Sequence, residues 1–253
     1  MRRIRAINSI RSKLSSGTYS VGSWMQIPNS SVAEIMGCSG YDWVAVDMEH
    51  GSMSTHQLPD LFRALELGGT LPLARIAEGS SKDCKLALDA GAGGLIVPMV
   101  ETANQLEKIK DYCCWPPVGS RGVAFSRGNL FGKRFDEYLK EAQSPLLIAM
   151  IENIRGLQNI NEILEVKGLD AIFVGPYDLS ASLGLAAKFD HAKFKNALRE
   201  IENAAKIKEI PLGIHIVEPS ISELRLRIKD GYQFLAYSID SVMLRHSANF
   251  LDV

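Results

Sequence analysis

At Trp43–Gly51 the chain reads W-V-A-V-D-M-E-H-G: four apolar residues, Trp43, Val44, Ala45 and Val46, run directly into Asp47, Glu49 and His50. Uninterrupted apolar runs belong to strands buried on both faces, as in parallel sheets. In barrels built from such strands, the polar groups at the C-terminal tips meet the substrate. The stretch therefore predicts a buried parallel strand that delivers two carboxylates and an imidazole to a site, and with it an enzyme.

Two later segments repeat the pattern. Leu146–Ile151 is an apolar run ending in Glu152, and Ala171–Val174 is another, ending in Gly175-Pro176-Tyr177-Asp178. On neighbouring strands Glu152 and Asp178 would repel each other, and that repulsion favours a hard cation bound through oxygen. Taken singly, each also fits a simpler role as the acid at the start of the following helix.

Working outward, eight strand candidates alternate with helical segments after an amphipathic helix at about residues 4–14. They are Ser20–Met25, Trp43–Asp47, Leu71–Ile76, Gly94–Val97, Leu146–Ile151, Ala171–Val174, Leu212–Ile216 and Phe234–Ile239. Leu58, Leu61, Phe62 and Leu65 stand at i, i+3, i+4 and i+7, as do Phe194, Ala197, Leu198 and Ile201, the spacing of one helix face. Thr102 with Gln105 makes a capping box. Eight strand–helix units joined by right-handed crossovers, in a chain of 253 residues, predict an α/β fold of one domain over residues 1–253, closed as a (β/α)8 TIM barrel. An open doubly wound sheet is the alternative, but no G-x-G-x-x-G follows the first strand and no phosphate loop of the form G-x-x-x-x-G-K-[ST] occurs. The Gly-, Pro- and Arg-rich segment Trp115–Leu139 interrupts the alternation, and its length suits function or subunit contact.

Charge excludes other classes. Basic and acidic residues number 28 and 29, for a net charge of -1, which leaves no electrostatic footprint for nucleic acid or an anionic membrane. Arg2, Arg3, Arg5 and Arg11 read as a solvated helix face. Cys38, Cys84, Cys113 and Cys114 lack C-x-x-C spacing and read as reduced thiols. With no membrane-length apolar run and no signal-peptide core, the expected location is the cytoplasm.

Among single residues, His50 has the reference pKa of a general base, whereas His56, His191 and His246 read as surface residues and His215 as a core histidine inside the seventh strand. Arg75 is the only charge in L-P-L-A-R-I, and burial without an anion would be costly; a substrate anion or a site carboxylate is expected beside it. Asp89, before the glycine turn of L-A-L-D-A-G-A-G-G, looks on its own like a helix-end residue. Gly175-Pro176 keeps side chains away from the carboxylate edge, so the amides that follow could hold a small oxoacid at the start of the next helix.

Together, V-D-M-E-H-G, L-A-R-I, L-D-A-G-A-G-G-L-I-V-P-M-V-E-T, W-P-P-V-G-S-R-G, the I-E of I-A-M-I-E-N and V-G-P-Y-D-L-S-A-S-L-G resemble the HpcH/HpaI class II aldolases, from about Gly22 to Ile239. The resemblance implies a modified barrel of the phosphoenolpyruvate/pyruvate type, assembled as a homohexamer of three dimers that exchange the last helix. It implies reversible cleavage of a 4-hydroxy-2-oxoacid to pyruvate and an aldehyde. Glu152 and Asp178 would hold Mg2+ or Mn2+, with Co2+ or Zn2+ as alternatives, and the metal would stabilise an enolate. His50 matches the base, Asp89 the acid that raises its basicity, and Arg75 the cation that stabilises charge on the reacting oxygens. Gly175, Tyr177 and Asp178 lie where the family holds the pyruvate carboxylate, and Asp47 is the expected contributor to aldehyde selection. Two departures stand out. Met150 occupies a position where many members use Gln to contact pyruvate, and Val123-Ala124-Phe125 predicts a more apolar aldehyde side. Schiff-base chemistry finds no support, since no strand candidate contains lysine. A CoA-thioester lyase and a non-catalytic barrel that binds metal and oxoacid are the rival readings.

Overall fold

A computed structural model describes residues 3–249. Eight parallel strands, β1 (Ser20–Met25), β2 (Trp43–Asp47), β3 (Leu71–Arg75), β4 (Gly94–Val97), β5 (Leu146–Ile151), β6 (Ala171–Val174), β7 (Leu212–Ile216) and β8 (Phe234–Ile239), pair in sequence order and close through β8 onto β1. The only boundary to differ from the sequence expectation is at β3, which ends at Arg75 rather than Ile76. Helices α1 (Arg3–Ser15), α2 (Ser30–Gly37), α3 (Leu58–Gly68), α4 (Ser81–Ala90), α5 (Ala103–Cys113), α6 (Phe135–Ala142), α7 (Ile154–Gln158), α8 (Ile160–Ile163), α9 (Pro176–Ser182), α10 (Ala192–Ile207), α11 (Ile221–Lys229) and α12 (Asp240–Ala248) fill the intervals.

Strand side chains alternate between two cores. One set, including Val44, Val46, Leu95, Ile151 and Val174, meets the helices, where Leu58, Leu61, Phe62 and Leu65 of α3 are buried as their spacing predicts. The other fills the barrel interior with Trp24, Trp43, Met150, Phe173 and Phe234. Trp43 stacks on Phe234 with ring centroids 4.3 Å apart, and a Cβ on Gly22 would collide with the Trp43 ring. A glycine is thus what lets the indole lie across β1. Thr102 caps α5 by accepting from the Gln105 amide at 3.2 Å, but the Gln105 side chain returns to the Glu101 amide rather than to that of Thr102.

α1 closes the N-terminal end of the barrel, adding Ala6, Ile7, Ile10 and Leu14 to the interior cluster. Its arginines correct the solvated-face reading. Arg3 is buried between Glu141 (2.5 Å) and Glu66 (2.8 Å), Glu66 also binds Arg127 (2.5 Å), and Arg11 pairs with Asp170 (2.7 Å). Only Arg5 remains exposed, and Arg2 lies outside the described residues. Carboxylates 63 and 138 positions away turn what looks like a polar face into a clasp.

Trp115–Leu139 belongs to the same end. Arg127 donates to the carbonyl of Ala90 at 3.0 Å, Arg121 meets Asp89 at the end of α4, and Trp115, Tyr138 and Ala142 form a small separate core. Val123 and Phe125 are solvent-exposed there. Phe125 meets Phe135 edge to face.

Candidate active site

The C-terminal tips of β2, β3, β5 and β6 bring together Asp47, Glu49, His50, Arg75, Glu152 and Asp178. Asp47 is the anchor. Fully buried at the end of β2, its Oδ1 accepts from Arg75 Nε (2.8 Å) and from the amides of Glu49 (3.1 Å) and His50 (3.2 Å). Its Oδ2 accepts from Arg75 Nη2 (2.6 Å) and Gln26 Nε2 (2.9 Å). Burial opposes ionisation, but the hydrogen bond and charge of Arg75, with help from Gln26 and the His50 amide, hold the Asp47 pKa below the usual carboxylate range. Both its oxygens are therefore engaged beneath Arg75.

Arg75 thereby acquires the anion that its place in an apolar strand demands. β2 and β3 pair with Asp47 opposite Arg75, so the ion pair is a cross-strand neighbour. Nη1 lies 3.3 Å from Glu49 Oε2, and the guanidinium carbon sits 4.4 Å from the centroid of the Trp24 ring. An aromatic face at that distance adds about 1–2 kcal/mol to a desolvated cation. The guanidinium is fixed in orientation before any ligand arrives.

Glu152 is nearly buried at the tip of β5. The Met99 amide donates to its Oε1 at 2.7 Å, and Met99 adopts a left-handed backbone (φ 51°) to do so. A Cβ on Gly175 would collide with Glu152 Oε2, so the glycine leaves room for the carboxylate against the start of α9. Burial first, then the charges of Glu49 and Asp178, push the Glu152 pKa up to about 7. Burial together with Asp47 and Asp178 also raises that of Glu49, whose Oε2 lacks a hydrogen bond. Three acids crowd one corner of the mouth with a single arginine beside them.

Among the described residues, no three or more His, Cys, Asp or Glu side chains form a cage for a metal ion. A pair of carboxylates with open positions nonetheless suits a hard divalent ion, which commonly takes one or two carboxylates and completes its shell with water and substrate oxygens. The donor set at Glu152 and Asp178 fits such an ion.

His50 projects from the turn after β2, about half exposed, with Nε2 3.8 Å from Glu49 Oε2. Tyr177 is exposed and meets Phe189 edge to face. Met150 is buried inside the barrel beside Trp24 and Phe173. His215 faces Trp24 from β7, 3.2 Å from the carbonyl of Ser238, and burial lowers its pKa to about 4; it is a neutral core histidine. Asp89 is not brought to this mouth within the chain. It sits at the far end of α4, 3.2 Å from Arg121, because α4 runs from the strand tips back to the opposite end of the barrel.

Sequence reasoning missed Gln26, which follows β1 just as Glu152 follows β5, a position that could have flagged it. It also missed Met99, whose contribution is a backbone amide that no side-chain pattern reveals.

Comparison with known proteins agrees with the barrel fold. Residues 20–247 match the profile of the family described as HpcH/HpaI aldolase/citrate lyase. The chain is 34% identical over 241 residues to a hydroxypyruvate/pyruvate aldolase of Roseobacter denitrificans, covering 94% of this chain and 93% of that one. It is 33% identical to a 2-keto-3-deoxy-L-rhamnonate aldolase of Salmonella gallinarum, covering 93% and 88%. A crystal structure of an HpcH/HpaI aldolase/citrate lyase family protein from Burkholderia cenocepacia superposes with a TM-score of 0.89 at 30% identity, covering 96% of each chain.

Proposed function

Since this chain belongs to the HpcH/HpaI aldolase/citrate lyase family and is a carbon–carbon lyase, we propose that it reversibly cleaves a 4-hydroxy-2-oxoacid to pyruvate and an aldehyde with Glu152 and Asp178 holding Mg2+ or Mn2+. The observation that carries this reading is Glu152: a buried carboxylate seated by the Met99 amide against a side-chain-free Gly175 and crowded by two other acids. A divalent cation bound there supplies Lewis-acid polarisation of the oxoacid keto oxygen.

This chain's own residues do the rest. His50 accepts the C4 hydroxyl proton, directly or through water, as the C3–C4 bond breaks; the aldehyde carbonyl forms at C4 and the electron pair stays with C3 as the enolate of pyruvate. Arg75, held by Asp47 and Trp24, presents a pre-oriented charge to the oxygens on which negative charge accumulates. The first-turn amides of α9, at Tyr177 and Asp178, have no partner within the helix and would receive the oxoacid carboxylate. Met150 offers no hydrogen bond where a Gln would, so pyruvate is held by fewer polar contacts.

Two further proposals concern assembly. α11 buries none of its side chains and α12 buries only Asp240, leaving Ile221, Leu226 and Leu244 exposed; this favours exchange of the last helix and a homohexamer, which light scattering after gel filtration would test. Asp89 can then serve His50 only from a second copy. The four unpaired thiols suit a cytoplasmic enzyme, and among the described residues no helix is long and apolar enough to cross a membrane.

The test is proton exchange at the pyruvate methyl group, followed by NMR in D2O with Mg2+ or Mn2+ and again with EDTA. Exchange that disappears on chelation and in Glu152→Ala supports the reading. Absence of exchange with every divalent ion, despite metal binding, overturns it.

A further inference from the structure

The first turn of α12 is bolted to the tip of β1. Asp240 Oδ1 accepts from the Gln26 amide at 2.8 Å and from that of Ser241 at 2.7 Å, and its Oδ2 accepts from the Ile27 amide at 2.9 Å. The Gln26 side chain then spans from this joint to the arginine site. Its Nε2 donates to Asp47 Oδ2 at 2.9 Å, and its Oε1 accepts from Ser241 Oγ at 3.2 Å. The orientation of that amide is forced by chemistry. Ionised Asp47 can only accept, so the NH2 group must face it, which leaves the carbonyl oxygen for the Ser241 hydroxyl. Glu would set a carboxylate against Asp47, and Leu would satisfy neither neighbour.

We propose that Gln26 is a positioning residue that couples the seating of the last helix to the orientation of Arg75, through Ser241, Gln26 and Asp47. The path is short and continuous. Asp47 Oδ2 receives Gln26 and Arg75 Nη2 on the same oxygen, so a shift of α12 that drags Gln26 changes how that oxygen meets the guanidinium. Arg75 touches the reacting oxygens and Gln26 does not, so Gln26 acts on the bond-breaking step through the charge above it. The proposal rests on the role given to Arg75 above, and goes beyond it by making the C-terminal helix part of the catalytic apparatus.

The experiment measures kcat and KM for Mn2+-dependent exchange of the pyruvate methyl protons in wild type, Arg75→Met, Gln26→Leu, Ser241→Ala and the double variant Gln26→Leu/Ser241→Ala. In parallel, the solvent-exchange rate of the Arg75 Nε–H is read by 15N NMR in metal-free protein, with Arg75→Met assigning the signal. Gln26→Leu should lower kcat about tenfold with KM for pyruvate within about twofold, the split expected of an interaction expressed in the transition state. Its Arg75 Nε–H should exchange at least about threefold faster. Ser241→Ala should lose about threefold in kcat, and the double variant no more than Gln26→Leu alone, since both act along one path. A kcat within twofold of wild type in Gln26→Leu, or losses that multiply in the double variant, would overturn the coupling. Where Gln26→Leu fails to fold, Ser241→Ala decides alone, and unchanged kcat refutes the proposal. If Arg75→Met itself leaves exchange intact, the functional reading fails first and independently of Gln26.

Discussion

Replacing Asp47 by Asn tests the centre of the site. The Asp47 carboxylate is fully buried and the Arg75 side chain is 11% exposed. The substitution leaves a desolvated guanidinium whose nearest anion is Glu49 at 3.3 Å. Breaking a buried pair from one side costs about 3–5 kcal/mol; with Glu49 still in place the lower end applies, about 3 kcal/mol, or roughly 6–12 °C in Tm for a chain of this size. Arg75→Met leaves Asp47 with Gln26 and two amides for partners and should lose a similar amount. The double variant Asp47→Asn/Arg75→Met buries no net charge, so it should lose about 3 kcal/mol rather than the roughly 6 kcal/mol of independent sites. Urea unfolding of the four proteins gives the coupling directly. Because the folded-state pKa of Asp47 is depressed, its contribution is present above the ordinary carboxylate value and disappears as pH falls through the lower folded value. The gap between wild type and Asp47→Asn should therefore close in acid. Single losses below about 1 kcal/mol, or additivity, would refute the claim that this pair holds the site together.

Glu152 gives the opposite pH signature. With its pKa raised to about 7, the folded metal-free protein binds an extra proton in the interval above the ordinary carboxylate value; the resulting stability is present in acid and lost as pH rises through about 7, about 3 kcal/mol in all. Thermal melts from pH 4.5 to 8 should decline with EDTA and flatten in Glu152→Gln. Gly175→Ala, whose Cβ would collide with Glu152 Oε2, should weaken Mn2+ binding by roughly tenfold or more in calorimetry, since a displaced ligand loses on the order of 1.4 kcal/mol; unchanged affinity would count against Glu152 as a ligand. At the other end, Arg3→Met strands Glu141 while Glu66 keeps Arg127, and it should cost about 3 kcal/mol while leaving exchange kinetics unaltered. A loss of exchange in that variant would mean that the two ends of the barrel are coupled.

The fold was legible because doubly buried parallel strands are written as bare apolar runs, and seven of the eight have the boundaries read from sequence. Asp47, Glu152 and Asp178 were legible for the same reason, since each is the first charge after such a run. What stayed hidden depends on partners far away in sequence. Nothing near Arg3 announces Glu66 or Glu141, and nothing in V-D-M-E-H-G reveals that Arg75 and Gln26 take up both oxygens of Asp47. Asp89 followed from resemblance alone, while the direction of α4 carries it to the end opposite His50. Trp115–Leu139 was recognised as unusual, but its location follows from Arg121 and Arg127 gripping α4, contacts that local periodicity does not encode.

The seam where β1 meets β8 bears on how the protein is made. Ser20 pairs with Phe234 and Trp24 with Ile239, with a register shift between them where Ser238 adopts a left-handed backbone. Every other strand can dock on a neighbour already synthesised, but β1 must wait for the last. At roughly 5–20 residues per second, some 3–12 seconds separate translation of Asp178 from that of Ile239. During that time β1 lacks its β8 neighbour, and an unpaired strand edge is a template for unwanted pairing. Nascent chains arrested before β8 should therefore engage chaperones, and yield in expression should respond to translation speed over residues 212–239 more than over any earlier strand.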